Sequence, residues 1–219
     1  MNWSYPLPEK IECNMAEKSR FCCLIAGNKT SSHPLELYSA RIEAIRWFEK
    51  NHPDEFDLFG IGWNEVRLPG RRFFDKYRLL KIVKDFLSLF CEKFPSYKGK
   101  VNRKLDTLRK YRFSICYENA RDIPGYITEK IFDCFFAGCI PVYWGPDNIE
   151  KHIPASCFID KRKYDSYEKL YDFIKSMTDE RYLEYINEIE RFLQSPSAEQ
   201  FRAEYFAESV SETIIKRGS

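Results

Sequence analysis

The chain has 219 residues, 44% of them apolar and 31% charged, and its 35 basic and 33 acidic side chains leave a net charge of +2. That composition excludes a disordered tail, a collagen-like fibre and a disulfide-stapled miniprotein, and the near-cancelling charge argues against wholesale coating of nucleic acid. No stretch reaches the roughly 20 apolar residues of a membrane helix, and no N-terminal run has the form of a signal peptide. Residues 1–19, with two prolines in Tyr5-Pro6-Leu7-Pro8 and no hydrophobic period, read as a lead-in, and residues 20–219 as the folded domain. Phe21–Ala26 is a short apolar run that predicts a buried strand, stopped by Gly27-Asn28. Beyond His33-Pro34, the apolar residues Leu35, Tyr38, Ile42, Ile45 and Phe48 recur at three and four, which predicts a helix to about Asn51. Phe56–Phe59 predicts a second strand closed by Gly60-Ile61-Gly62, and the turn at Pro69-Gly70 precedes a predicted helix over Phe74–Lys93.

The stretch Lys98–Arg112 is basic, with seven positive residues against Asp106 alone, and reads as a solvated helix face or loop. Phe113–Tyr117 predicts a strand, the turn-rich residues Asn119–Gly125 a loop, and Ile127–Ala137 a helix with Gly138 at its C-terminal cap. Ile140–Trp144 and Phe158-Ile159 predict further strands. Helical periodicity follows, through Tyr167, Leu170, Tyr171 and Ile174, then Phe206, Val210 and Ile214, and nine acids against five bases make Asp179–Ser219 acidic. Strands alternating with helices predict an α/β fold with a mainly parallel sheet, in which ligands bind beyond the carboxyl ends of the strands. The eight cysteines contain no C-x-x-C pair and read as reduced, buried thiols of a cytosolic chain.

Several chemistries have no motif here: no phosphate-binding G-x-x-x-x-G-K-[ST], no G-x-G-x-x-G, no G-x-S-x-G and no Asp-x-Asp. The three histidines, each just ahead of a proline, have no zinc-ligand spacing. Phosphate binding would therefore rest on helix termini and cationic side chains. Glu118 and Asn119 fall at the end of a predicted strand, and Thr128, Glu129 and Lys130 open the next helix, whose free N–H groups favour an anion. Lys130 adds a positive charge there, and Glu129 can accept hydrogen bonds from sugar hydroxyls, so the pair suits a diphosphate flanked by sugars. The alternative is that Glu129 is only a favourable first-turn acid and Lys130 pairs with Asp133. Arg41 interrupts the apolar stripe of its helix and requires a partner, whether an anion or a nearby acid reached by its flexible stem.

The runs CYEN, GYITEKIFDCFFAGCIPVYWGP and IPASCFID resemble the α-1,3/4-fucosyltransferases of glycosyltransferase family ten, over about 45 residues in matching order and spacing. A looser likeness runs through FCCLIAGNK, ELYSARIEAIRWFEK and FDLFGIGWN. The resemblance implies a Rossmann-like parallel sheet flanked by helices, similar to the C-terminal, donor-binding half of a two-Rossmann (GT-B) transferase. It implies GDP-fucose as donor, with Asn119 and Glu129 bonding the nucleotide and its sugar, Lys130 neutralising the pyrophosphate, Tyr126 lining the pocket and Arg41 matching a family arginine. It further implies inverting transfer of fucose to a glycan hydroxyl, with no metal or other cofactor required. The acceptor-binding N-terminal domain, and the general base expected on it, have no counterpart in this sequence, so no catalytic residue is assigned and little activity is expected of this chain alone. A non-catalytic nucleotide-sugar-binding or partner-docking domain is the alternative, and an RNA-binding module built on Lys98–Arg112 a more distant one. Besides GDP-fucose and acceptor, a second copy of the chain and, peripherally, the inner face of a membrane are the expected partners, in a bacterial-like cytoplasm, with no nucleic acid.

Overall fold

The computed structural model describes residues 7–8, 10–64, 94–205, 207 and 211. The predicted helix over Phe74–Lys93, Cys91 and the repeat through Phe206, Val210 and Ile214 lie outside the described residues.

Arg20–Ile25 forms strand β1, Tyr38–Asn51 helix α1, Phe56–Phe59 β2, Tyr97–Gly99 β3 and Lys104–Leu108 the short helix α2. Tyr111–Tyr117 forms β4, Glu129–Phe136 α3, Ile140–Trp144 β5, Ile159–Asp160 β6, Tyr167–Lys175 α4 and Asp179–Leu193 α5. All pairings are parallel, in the order β3-β2-β1-β4-β5-β6, as expected of a sheet whose strands are joined by helical crossovers. The central strand β4 is buried at six of its seven positions, Ser114 included, as a parallel strand covered on both faces must be. Phe48 of α1 stacks on Phe56 of β2 with ring centroids 4.8 Å apart, and Tyr182 of α5 meets Phe113 of β4 edge-on. Phe135 of α3 packs against Phe192 farther along α5.

The basic stretch is largely solvated, as expected, with Lys98, Lys100, Arg103, Lys104 and Lys110 exposed. It carries the edge strand β3 and α2, elements of three and five residues, too short to show a period. Its charges are also partly paired: Lys98 lies 3.5 Å from Asp57, and Lys104 bonds Asp133 at 2.8 Å. Gly138 performs its expected task at the end of α3. Its φ of +57° lets Cys139 N–H reach Cys134 C=O at 2.9 Å and Gly138 N–H reach Phe135 C=O at 3.0 Å, a Schellman closure. The lead-in is ordered where described: a single turn at Met15–Glu17 is capped by the Asn14 side chain. All seven described cysteines are free thiols, and only Cys13 is not fully buried.

Candidate functional site

The sheet's order reverses between β1 and β4, and the chain leaves their carboxyl ends in opposite directions, opening a crevice there. The wall on the β1 side is made by two loops bonded to each other. Ala26 N–H donates to Phe59 C=O at 3.0 Å, Asn28 N–H to Ile61 C=O at 2.8 Å, and the Asn28 side chain to Gly62 C=O at 3.1 Å. Gly60 is required at this seam. Its φ is +133°, and a Cβ would stand 1.8 Å from the Ala26 carbonyl oxygen.

On the β4 side, Glu118 is the organising residue. It is wholly buried, and its two carboxylate oxygens accept from Thr128 N–H (2.8 Å), Thr128 Oγ1 (2.7 Å), Lys130 Nζ (3.1 Å) and the Tyr143 hydroxyl (3.1 Å). A buried carboxylate is tolerated only with such a set of donors. Two consequences follow for α3. Thr128, at the N-cap position, turns its hydroxyl to Glu118 and Lys130 and makes no side-chain cap bond to the helix. Lys130 is held at the opening turn by Glu118, while Asp133 takes Lys104 instead, so the alternative pairing of Lys130 with Asp133 does not occur.

The strip before α1 is zipped onto the loop after β4: Leu37 N–H donates to Asn119 C=O at 3.0 Å and Arg121 N–H to Leu35 C=O at 2.8 Å. This pairing drives Arg41, 4% exposed, under the end of β4. Its Nη2 donates to the carbonyls of Tyr117 (2.6 Å) and Glu118 (2.8 Å) and to Asn119 Oδ1 (3.1 Å). The partners of the stripe-breaking arginine are thus strand-end oxygens, not an acid. Asn119 Nδ2 in turn donates to the Tyr126 hydroxyl at 3.2 Å. Burial lowers the Arg41 pKa from its ordinary value.

Between the two walls lies a cavity of about 640 Å³, lined by Asn28, Lys29, Arg41, Lys100, Lys104, Asn119, Glu129 and Lys130, with the Gly60–Gly62 loop along one side. Of the expected site residues, Arg41, Asn119, Glu129 and Lys130 come together here, whereas Tyr126 stands behind Asn119 and is not in the lining. Five cations and the carboxylate of Glu129 line it, with Lys130 paired to Glu118 and Lys104 to Asp133 at its edge. Burial pulls the Glu129 carboxyl upward, but Lys130, the residue's own backbone N–H, Lys104 and Thr128 outweigh it, and Glu129 sits below the usual range. Lys29, Lys100 and Lys104 were not singled out from sequence. The last two belong to the basic stretch, whose one-sided charge was the available signal. Among the described residues, no group of three or more His, Cys, Asp or Glu is placed to hold a metal ion, and no helix is long and apolar enough to cross a membrane.

A six-stranded parallel sheet in Rossmann order, with its cleft at the crossover, gives this chain the fold of one half of a GT-B glycosyltransferase. More particularly, the chain belongs to glycosyltransferase family 10 (fucosyltransferase), whose C-terminal domain is matched by residues 79–208. The alpha-(1,3)-fucosyltransferase FucT of Helicobacter pylori is 35% identical over 75 residues, covering 34% of this chain and 16% of its own. Human 4-galactosyl-N-acetylglucosaminide 3-alpha-L-fucosyltransferase 9 is 36% identical over 87 residues, 38% of this chain and 24% of its own. A crystal structure of an alpha1,3-fucosyltransferase with GDP-fucose superposes with a TM-score of 0.51 at 18% identity, covering 82% of this chain and 49% of that one, a likeness of fold. The chain spans less than half the length of each of these proteins.

Proposed function

We propose that this chain is the donor-binding domain of an inverting fucosyltransferase, taking GDP-fucose and delivering fucose to a glycan hydroxyl supplied with the help of a second domain. The observation that carries this reading is the cluster of Lys130, Lys104, Lys100, Lys29 and Arg41 around Glu129 at the start of α3, whose N-cap residue makes no side-chain cap bond. The cavity volume of about 640 Å³ lies in the range of small-molecule sites, about 300–1,000 Å³. In this reading the diphosphate meets the opening N–H groups of α3 and Lys130, and Glu129 and Asn119 accept or donate to sugar hydroxyls. Tyr126 acts through Asn119, whose amide it orients.

The chemistry follows from that placement. The acceptor oxygen attacks the anomeric carbon of fucose from the face opposite the diphosphate and inverts it. The bond from that carbon to the β-phosphate oxygen breaks, and its electron pair leaves with GDP. The acceptor proton passes to a carboxylate outside this chain. Lys130, its neighbouring cations and the helix terminus stabilise the charge that grows on the leaving diphosphate, an electrostatic contribution aimed at the transition state. No divalent metal is needed in this scheme. An α-1,3 linkage is the corresponding expectation from the relatives' names, and docking at a membrane face and pairing of two copies belong to the same proposal.

Calorimetry with GDP-fucose, GDP-mannose and UDP-galactose tests the reading. GDP-fucose should bind, and bind best. Tighter binding of UDP-galactose, or no binding of any guanine nucleotide, would overturn it. A chain that binds GDP-fucose but transfers nothing even when joined to an acceptor-binding domain would instead be a nucleotide-sugar-binding remnant.

A further inference from the structure

The opposite end of α3 carries a buried charge that the donor reading does not use. Lys18 belongs to the lead-in, yet it is only 8% exposed, and its Nζ donates to the Ala137 carbonyl, the C-terminal cap of α3, at 3.0 Å. Among the described residues no carboxylate forms an ion pair with it. A buried ammonium without a counter-ion is costly, so what compensates Lys18 is that hydrogen bond and the partial negative charge at the helix's carboxyl end. The neighbouring Gly138 carbonyl accepts from the Tyr182 hydroxyl of α5 at 2.7 Å, and Ile11 N–H of the lead-in donates to Glu190 of the same helix at 2.7 Å. The eight residues of α3 are only about 12 Å long. Six of the eight are buried, so the helix is held as one rigid unit, and displacement at one end is displacement at the other.

We propose that Lys18 is a positioning residue for the donor site: its ammonium holds the carboxyl end of α3 and thereby fixes the turn that presents Glu129 and Lys130. This inference rests on the reading of that turn as the diphosphate site. It makes the lead-in, and not only the sheet, part of what sets the site's geometry.

The ionisable groups around Lys18 are the thiols of Cys13 in the lead-in, Cys23 on β1, Cys134 on α3 and Cys139 just before β5. Tyr182 and Glu190 of α5 and Arg112 of β4 lie beside Cys13, and Tyr182 also beside Cys139. Burial pushes Lys18 below the usual lysine range and pushes Cys13, Cys23, Cys139 and Tyr182 above theirs. A hydrogen bond with Cys116 is the foremost cause of the same rise at Cys134. The ammonium therefore titrates early while its neighbours keep their protons longer, and the charge on Lys18 is open to test by pH.

The experiment is calorimetry of GDP binding to the full chain, to Lys18→Met and to Lys18→Arg, from neutral pH up to about pH 10. Lys18→Met, which keeps the length and removes the charge, should weaken GDP roughly threefold to tenfold at neutral pH, the scale of a helix-terminal charge. Lys18→Arg should restore affinity to within about twofold of the parent. As pH rises, the parent's affinity should fall toward that of Lys18→Met, whereas Lys18→Arg, whose guanidinium keeps its charge, should not show that fall. Packing alone predicts otherwise: Met would bind like the parent and the three pH curves would run parallel, and that result overturns the inference. Should Lys18→Met fail to fold, the parent and Lys18→Arg decide the matter, parallel curves again being the refutation. If the parent binds no GDP, the donor-site reading has failed and the inference with it. If the parent binds, Lys130→Met does not and Lys18→Met matches the parent, only the inference has failed.

Discussion

Replacing Lys130 by Met keeps the side chain's length and removes the ammonium shared by Glu118 and Thr128. Glu118 is then left as a carboxylate, 0% exposed, with three donors instead of four. Removing one partner of a buried ion pair costs about 3–5 kcal/mol, and because the Lys130 side chain is 23% exposed the lower end applies, about 3 kcal/mol. Adding Glu118→Gln discharges the orphaned carboxylate, so the double variant should recover part of that loss, with a coupling of about 1–3 kcal/mol. Nucleotide affinity should behave differently. A charge-assisted hydrogen bond from Lys130 to a phosphoryl oxygen is worth about 1.5–3 kcal/mol net, or about tenfold to 150-fold in Kd. Neither variant can restore it. Urea denaturation of the parent, both single variants and the double reads the first effect, and calorimetry with GDP the second. GDP binding by Lys130→Met within about twofold of the parent would refute the cation's role at the diphosphate. Strictly additive stabilities would refute the pairing with Glu118.

Gly60→Ala should destabilise the chain by about 2–4 kcal/mol, through a left-handed backbone and a methyl group driven into Ala26, and fluorescence-detected unfolding with an unchanged midpoint would contradict the seam between the two loops. Because Glu129 sits below the ordinary carboxyl value of 4.5, its ionised form and the stability it contributes persist above that pH and are lost only as pH falls through its lowered pKa. GDP-fucose affinity should therefore be flat from neutrality to about pH 5, and a decline centred near pH 6 would show that another group governs the sugar contact. Turnover by a complete enzyme carrying this domain should survive chelation of divalent metal, and loss of activity restored by manganese would contradict the electrostatic scheme.

Several elements were legible in the sequence for physical reasons. Phe56–Phe59 and Ile140–Trp144 coincide with their strands because buried parallel strands are mainly apolar runs, here broken only by Asp57, bounded by glycine or polar turns. Helix α3 was marked at both ends, by Thr128-Glu129 and by Gly138. β3 and α2 carried no such mark: YKG and KLDTL hold neither an apolar run nor enough residues for a helical period. At the site, Glu129 and Lys130 were readable because they open a helix, and Arg41 because it breaks an apolar stripe. Glu118 was visible only as a strand-end acid, since its four partners come from Thr128, Lys130 and Tyr143, positions that the fold alone brings together. Lys29 and the Gly60–Gly62 loop come from segments brought together by parallel pairing of β1 with β2 and by bonds between the loops that follow, long-range contacts that local sequence does not declare. Tyr126, expected at the pocket from resemblance, meets the site through its hydroxyl, which accepts from the Asn119 amide.

The most direct measurement is a crystal structure of this chain soaked with GDP-fucose. The two phosphoryl groups should lie against the first turn of α3, within hydrogen-bond distance of Lys130 Nζ, with Glu129 on a sugar hydroxyl. Density for the diphosphate at any other place on the sheet, with the Lys130–Glu118 pair undisturbed and solvent before it, would contradict the assignment.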